Sequence, residues 1–120
     1  MSEADNLSER VRELIGYHSA KKQETPEQTL NRLLDEYVCG APHLTFETLC
    51  VTKESWGRDG LSRICRRHNR ASPCPRGANT REIVVASFRG RHYAIDGNNR
   101  INHWLKKGET GPFQILLIEV

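Results

Sequence analysis

The segment Asp96-Gly97-Asn98-Asn99-Arg100 has the residue types of a phosphate-binding turn. Glycine has no side chain, so a phosphate group can approach the main chain at Gly97. A helix that begins directly after the glycine points its first N–H groups, those of Asn98, Asn99 and Arg100, at the anion. Arg100 also offers a forked charged contact. Gly97, Asn98, Asn99 and Arg100 are therefore the predicted phosphate-binding group.

Asp96 and His103 are the catalytic candidates beside this turn. The Asp96 carboxylate is of the kind that binds a ribose hydroxyl or a metal ion, or accepts a proton. His103 follows Arg100 by three positions, which places both on one face of a helix, and imidazole exchanges protons near neutral pH. A structural alternative stays open, in which Asp96 caps the helix and Gly97 only makes the turn.

A second candidate for anion binding is an arginine-rich segment. Between Arg58 and Arg81 the chain has seven arginines and one acidic residue. In a helix, four of them would form one cationic face for nucleic acid or another anion, namely Arg63, Arg66, Arg67 and Arg70.

Net charge is divided unevenly along the chain. Residues 1–57 have 6 Lys and Arg against 10 Asp and Glu, whereas residues 58–120 have 12 against 5, within a total of +3. This asymmetry indicates an anionic partner for the second half. The competing interpretation is that the basic residues pair with the acidic first half or with a protein partner.

The four cysteines, at positions 39, 50, 65 and 74, form no Cys-x-x-Cys pair, and we expect reduced thiols. Cys65, His68 and Cys74 make a weak alternative metal site, because a Cys-x-x-His spacing chelates zinc. Their spacing is irregular and the neighbouring arginines repel a metal ion, so we do not expect zinc.

Composition limits the class of protein. Of the 120 residues, 37% are hydrophobic and 28% are charged. The longest aliphatic run covers residues 115–118, far fewer than the ~20 residues of a membrane-spanning helix. The chain begins with polar and acidic residues, unlike a secretory signal. We expect a cytoplasmic protein with no membrane partner.

The hydrophobic pattern predicts two helices in the first forty residues. The first spans 6–22. The second begins at Thr25, which is the natural N-cap, with Gln28 completing a capping box. It ends near Gly40.

The last forty residues have the clearest pattern. A strand over 82–88, a tight turn at Arg89-Gly90 and a returning strand over 92–95 form a hairpin. The Asp-Gly segment then starts a helix that Gly108 ends, and 114–120 is a strand apolar enough to be central.

Between these regions we expect a strand, or a short strand plus a turn, over 44–52, a helix over 54–68 and a loop over 69–81. The elements together predict an α+β fold, with a small mixed sheet and an N-terminal helical hairpin. Residues 1–40 are the helical appendage in this interpretation, and residues 41–120 are the α/β domain.

The run from Tyr93 to Ile101, followed by a short helix and a hydrophobic strand, resembles the Asp-Gly signature of the ParB/sulfiredoxin superfamily. The resemblance covers about residues 82–120 and implies a sheet of the ParB/sulfiredoxin type. It also implies that Gly97–Arg100 bind the phosphates of a nucleotide, ATP or CTP, or a nucleic-acid backbone. For an enzyme it implies phosphoryl transfer or phosphodiester cleavage, assisted by Mg²⁺ at Asp96.

Two departures from the family pattern narrow this expectation. Asn98 stands where sulfiredoxins have their reactive cysteine, so we do not expect sulfinic-acid repair. Asn98 and Asn99 replace the middle residues of the partition proteins' box, so we do not expect a DNA-partition role. A second hypothesis is a non-catalytic, protein-binding inhibitor or accessory factor of phage or mobile-element type that keeps the fold as a scaffold.

Overall fold

The computed structural model describes residues 3–66 and 82–120. The elements in chain order are α1 (Glu3–Lys22), α2 (Pro26–Tyr37), β1 (Cys50–Trp56), α3 (Arg58–Ser62), β2 (Ile83–Phe88), β3 (Arg91–Asp96), α4 (Asn98–Lys107) and β4 (Phe113–Glu119). The predicted α+β class is confirmed. The loop expected over 69–81 lies outside the described residues.

The four strands form one mixed sheet in the order β1-β4-β2-β3. β4 pairs antiparallel with β1 and parallel with β2, and β3 pairs antiparallel with β2. β4 is therefore central, as its apolar sequence predicts. Because parallel neighbours need a crossover, the chain leaves β2 through β3 and returns to β4 through α4.

The sheet packs helices on both faces, because alternate residues of each strand point to opposite sides. One face lies against α1 and α2 and contributes a buried set to the core: Val51, Val84, Ala86, Leu116 and Ile118. The other face lies against α3 and α4 with a second buried set: Ile83, Val85, Ala94, Ile115 and Leu117. The fold thus has three layers, with the sheet in the middle.

The N-terminal helices form as predicted, and α1 begins three residues earlier than expected. Thr25 caps α2, with the reciprocal hydrogen bonds of a capping box between Thr25 and Gln28. Between the helices, the buried Ser19 hydroxyl donates to Thr29 Oγ1 at 2.8 Å. Both helices share one core with the sheet. The domain boundary near residue 40 stays a prediction.

A strand over the whole of 44–52 is wrong, since residues 46–48 form a turn and β1 begins at Cys50; the alternative of a short strand plus a turn agrees with the structure. Side chains of α2 occupy the main-chain groups that a strand would use. Asn31 accepts from Leu44 N at 2.7 Å and donates to Leu44 O at 2.9 Å, and Glu27 accepts from Phe46 N at 2.9 Å. The segment is therefore a connection held onto α2.

The helix expected over 54–68 is also wrong over most of its length. β1 continues to Trp56, and α3 covers only Arg58–Ser62. Gly57 and Gly60 weaken helix propensity here. Cys65 instead makes an isolated parallel bridge to Tyr93 at the outer edge of β3. Arg63 and Arg66 lie beyond the end of α3 and are not helical, so they do not contribute to the single cationic helix face predicted for Arg63, Arg66, Arg67 and Arg70; Arg67 and Arg70 lie outside the described residues.

The predicted β2–β3 hairpin is confirmed. Its two turn residues, Arg89 and Gly90, both have positive φ, at 51° and 77°. This is the conformation that matches the twist of paired strands. As for the membrane, the described part of the chain contains no helix with the length and apolar character needed to cross one.

Candidate phosphate site

The start of α4 is built around Gly97. β3 ends at Asp96, Gly97 has φ +105°, and the first helical hydrogen bond runs from Ile101 N to Gly97 O at 2.9 Å. A Cβ atom on Gly97 would lie 2.4 Å from Ile83 Cγ2 and 3.1 Å from Arg100 Nη2. The glycine is required by the left-handed backbone and by close packing against β2.

Arg100 is an internal brace beneath this turn. Its residue is only 8% exposed. The guanidinium donates from Nη1 to the Glu82 carbonyl and from Nη2 to Asp96 Oδ2, both at 3.0 Å. The Arg100 guanidinium, which the sequence predicts to bind phosphate, thus connects the residue before β2 to the last residue of β3 through these two hydrogen bonds. It also places a positive charge under the first turn of α4.

Asp96 is bound at both carboxylate oxygens. Oδ2 accepts from Arg100, and Oδ1 lies 3.0 Å from His18 Nε2 on α1. The Asp96 side chain is 13% exposed and that of His18 is 35% exposed. A carboxylate that holds one nitrogen of an imidazole orients the ring for proton transfer. Asp96 and His18 therefore form a pair suited to acid–base chemistry.

The His18 contribution is missed by the sequence analysis, because its partner is 78 residues away. The feature of the sequence that could have indicated a role for His18 is its position on the first helix. On α1 it follows Leu14 and Ile15, which are buried in the core, so a histidine there needs a polar partner at the edge of the sheet.

Glu82, just before β2, connects α1 to the same network. Arg10 Nη2 lies 2.8 Å and Nε 2.9 Å from Glu82 Oε2. Burial raises the pKa of the Glu82 carboxyl, but the hydrogen bond from Arg10 and nearby positive charge outweigh it and hold the pKa below its ordinary value. The hydrogen bonds to Glu82 and Glu13 raise the pKa of Arg10. The pair is therefore ionised in the folded protein.

The remaining predicted residues lie on α4. Asn98 is half-buried and Asn99 is exposed, both in its first turn, so the structure brings Asp96, Gly97, Asn98, Asn99 and Arg100 together at one helix start. His103 is half-buried in the following turn. Among the described residues, neither a hydrogen bond nor an ion pair joins His103 to Asp96. A catalytic role for His103 stays a prediction.

The donor set does not form a metal site. Within residues 3–66 and 82–120, no cluster of three or more His, Cys, Asp or Glu side chains is arranged to hold an ion. Asp96 and His18 are two such side chains, so we derive no step that uses Mg²⁺. Cys65 is an exposed thiol, and the other two members of the weak zinc alternative, His68 and Cys74, lie outside the described residues.

The described arginines of the basic segment have different roles. Arg58 caps the end of α4, donating from Nη2 to Leu105 O at 2.8 Å and from Nη1 to Glu109 O at 3.3 Å. Arg63 is exposed, whereas Arg66 is half-buried. Cys65, between them, is hydrogen-bonded through its main chain to β3. Arg63 is thus the C-cap of α3, and Arg66 directly follows the residue that bridges to the sheet edge.

A scan of protein-family models found no match to this chain, and searches of curated proteins and of solved structures found none either. The site is consequently characterised by its own geometry: a left-handed Asp-Gly turn, a buried arginine beneath a helix start, and an Asp–His pair that joins this turn to α1.

Proposed function

We propose that this protein binds a nucleotide through its phosphates at the start of α4, in a domain of the ParB/sulfiredoxin type. The observation that carries the proposal is electrostatic. The first turn of α4 contains no acidic residue, and its two basic last-turn residues, Lys106 and Lys107, lie at the far end. The N-terminal end of a helix attracts anions, and here no carboxylate of its own first turn offsets that charge.

Asp96 is the one carboxylate directly before this helix, and its charge is already balanced. Arg100 contacts one of its oxygens and His18 the other. An incoming phosphate is therefore not opposed by an unpaired anion. Asn98 and Asn99 add amide donors in the first turn. ATP and CTP are the ligands to test first, because the resemblance implies them.

Binding does not require turnover. For a ligand that reacts by phosphoryl transfer or phosphodiester cleavage, the Asp96–His18 pair is the proton acceptor that this geometry offers. The alternative of a cytoplasmic, protein-binding accessory factor stays a prediction.

The test is a thermal-shift titration with ATP, CTP and GTP, each with and without Mg²⁺. A nucleotide present at about 100 times its Kd stabilises the folded state by about 2.7 kcal/mol, which raises Tm by roughly 10 °C for a chain of this size. Asn99→Asp places a carboxylate where the phosphate binds and should abolish the shift. The helix itself tolerates an acid at this end, so the variant folds.

Lys107→Gln is the matched control. It makes the same change in net charge on the same helix, about 12 Å from Asn99 along the helix axis. It should keep the full nucleotide shift. The proposal is rejected when no nucleotide raises Tm, or when Asn99→Asp and Lys107→Gln respond alike.

A further inference from the structure

Four described arginines lie either on the β2–β3 hairpin or within two residues of Cys65, which pairs with β3, and we call them the hairpin rim: Arg63, Arg66, Arg89 and Arg91. Arg89 is in the turn and Arg91 begins β3. The main chain of Cys65 brings the other two alongside, since Cys65 N donates to His92 O at 2.8 Å and Cys65 O accepts from Ala94 N at 3.0 Å. Their helical spacing in the sequence predicts that Arg63 and Arg66 share a face with positions 67 and 70; it does not predict that they lie beside the hairpin.

The charge of the hairpin rim is not balanced by acidic side chains. None of its four arginines takes part in an ion pair between described residues. Arg89 Cζ instead lies 5.0 Å from the centre of the Phe88 ring.

The acidic first half of the chain does not supply the missing counter-charge. The ion pairs described between the two halves join Arg10 to Glu82 and His18 to Asp96. In neither pair does an acid of the first half contact an arginine of the second half. The interpretation that the basic residues neutralise the acidic half is therefore not supported for the hairpin rim.

Arg66 has two side-chain donor atoms without a hydrogen-bond acceptor among the described residues. Its Nε and Nη1 atoms are buried and have no hydrogen-bond partner in the part of the chain that the structure describes. Leaving buried charged donors unpaired costs free energy.

We propose that the hairpin rim binds the phosphate backbone of single-stranded nucleic acid. Arg91 is about 17 Å from Asp96 along β3, so Arg89 and Arg91 are separate from the start of α4, whereas Arg66 directly follows Cys65, whose main chain is hydrogen-bonded to Ala94. The proposal goes beyond nucleotide binding and does not depend on it. Four arginines without acidic partners match a line of phosphates, and arginine makes forked contacts to them.

An aromatic pair beside the hairpin rim favours a single strand over a duplex. The rings of Trp56 and His92, both half-buried, lie 4.9 Å apart. Glu54, the acidic residue nearest to Trp56 in sequence, accepts a hydrogen bond from Trp56 Nε1 at 3.0 Å. This hydrogen bond fixes the orientation of the indole. Unpaired bases stack on such rings, whereas the bases of a duplex are already stacked on one another.

The experiment measures fluorescence anisotropy of a labelled oligo(dT) of about 16 nucleotides, and of a hairpin duplex of equal length, from about 50 to 200 mM salt. Four phosphate contacts to a single strand predict that affinity falls about 50-fold over this range. In the double variant Arg89→Asn/Arg91→Gln, the affinity for oligo(dT) should fall only about 7-fold over the same salt range. Asparagine is chosen at position 89 because it tolerates the positive φ there.

The control variant Lys106→Gln/Lys107→Gln removes the same charge from exposed positions on α4. Its affinity for oligo(dT) should still fall about 50-fold between the lowest and the highest salt concentration. Asn99→Asp should bind oligo(dT) like the wild type, so failure of the nucleotide site and failure of the hairpin rim are distinguished. The inference is overturned by the absence of oligo(dT) binding, by equal losses in the rim and control variants, or by duplex affinity that equals single-strand affinity.

Discussion

Replacing Gly97 with alanine should destabilise the protein by about 3 kcal/mol. Two effects add up to this value. A non-glycine residue at φ +105° costs about 1–2 kcal/mol of backbone strain. The new Cβ would also lie 2.4 Å from Ile83 Cγ2 and 2.9 Å from Ile83 Cβ, and forcing a packed core apart costs about 1–3 kcal/mol.

Gly108→Ala separates the two effects. Gly108 ends the same helix with φ +73°, and a Cβ there would meet no atom within 4 Å. This control should lose only the strain, about 1 kcal/mol, or roughly 4 °C in Tm, against roughly 12 °C for Gly97→Ala. Thermal and urea unfolding of both variants without ligand measure the difference.

A double-mutant cycle with Ile83→Ala tests the cause. Ile83 is fully buried, so its truncation alone should cost about 2–5 kcal/mol. In the Gly97→Ala background the same truncation should cost at least about 1 kcal/mol less, because the clashing methyl group is gone. Additive losses, or a Gly97→Ala variant as stable as Gly108→Ala, would refute the packing argument.

Two further predictions concern contacts made by α1 and α2. Because the pKa of Glu82 is lowered in the folded protein, its contribution is present above its unfolded value near 4.5 and lost as pH falls through the folded value. Glu82→Gln should therefore cost about 1 kcal/mol at neutral pH, and its Tm should approach that of the wild type as the pH falls below 4.5 and through the lowered pKa of the folded protein; a constant gap across the titration would contradict this. Asn31→Ala removes both side-chain hydrogen bonds to Leu44 and should cost about 2 kcal/mol in urea unfolding, with Asn31→Asp intermediate because it keeps only the acceptor; wild-type stability in both would show that this connection contributes nothing.

Elements with local signals are predictable from this sequence. The capping box at Thr25 and Gln28 marks the start of α2, and the left-handed glycine at Gly108 marks the end of α4. Each signal lies within a few residues of the element that it defines. Arg89-Gly90 specifies the hairpin turn in the same way.

The failures occur where distant side chains decide the backbone. Residues 44–49 have β-forming composition, yet Asn31 and Glu27 take the hydrogen bonds that a strand needs. The helix expected up to residue 68 is replaced by a short helix and by a bridge from Cys65 to β3. Tertiary contacts override local propensity in both segments.

At the candidate site, the residues of the turn were predictable but their partners were not. The Asp-Gly pattern correctly locates the start of α4. It does not reveal that Arg100 faces inward to Asp96 and the Glu82 carbonyl, nor that His18 reaches Asp96 from α1. Pairing across 78 residues has no periodicity to detect.

The net charge of +3 is the sum of an acidic first half and a basic second half of the chain. If the two halves neutralised one another, acids of α1 and α2 would contact arginines of the second half. Instead, Arg10 and His18 on α1 contact Glu82 and Asp96, which are two of the five acidic residues of the second half. Glu82 and Asp96 lie at the ends of β2 and β3 away from the hairpin turn. None of the ion pairs between described residues joins an acid of α1 or α2 to an arginine of the hairpin rim, in keeping with the phosphate-bearing partner proposed for this edge.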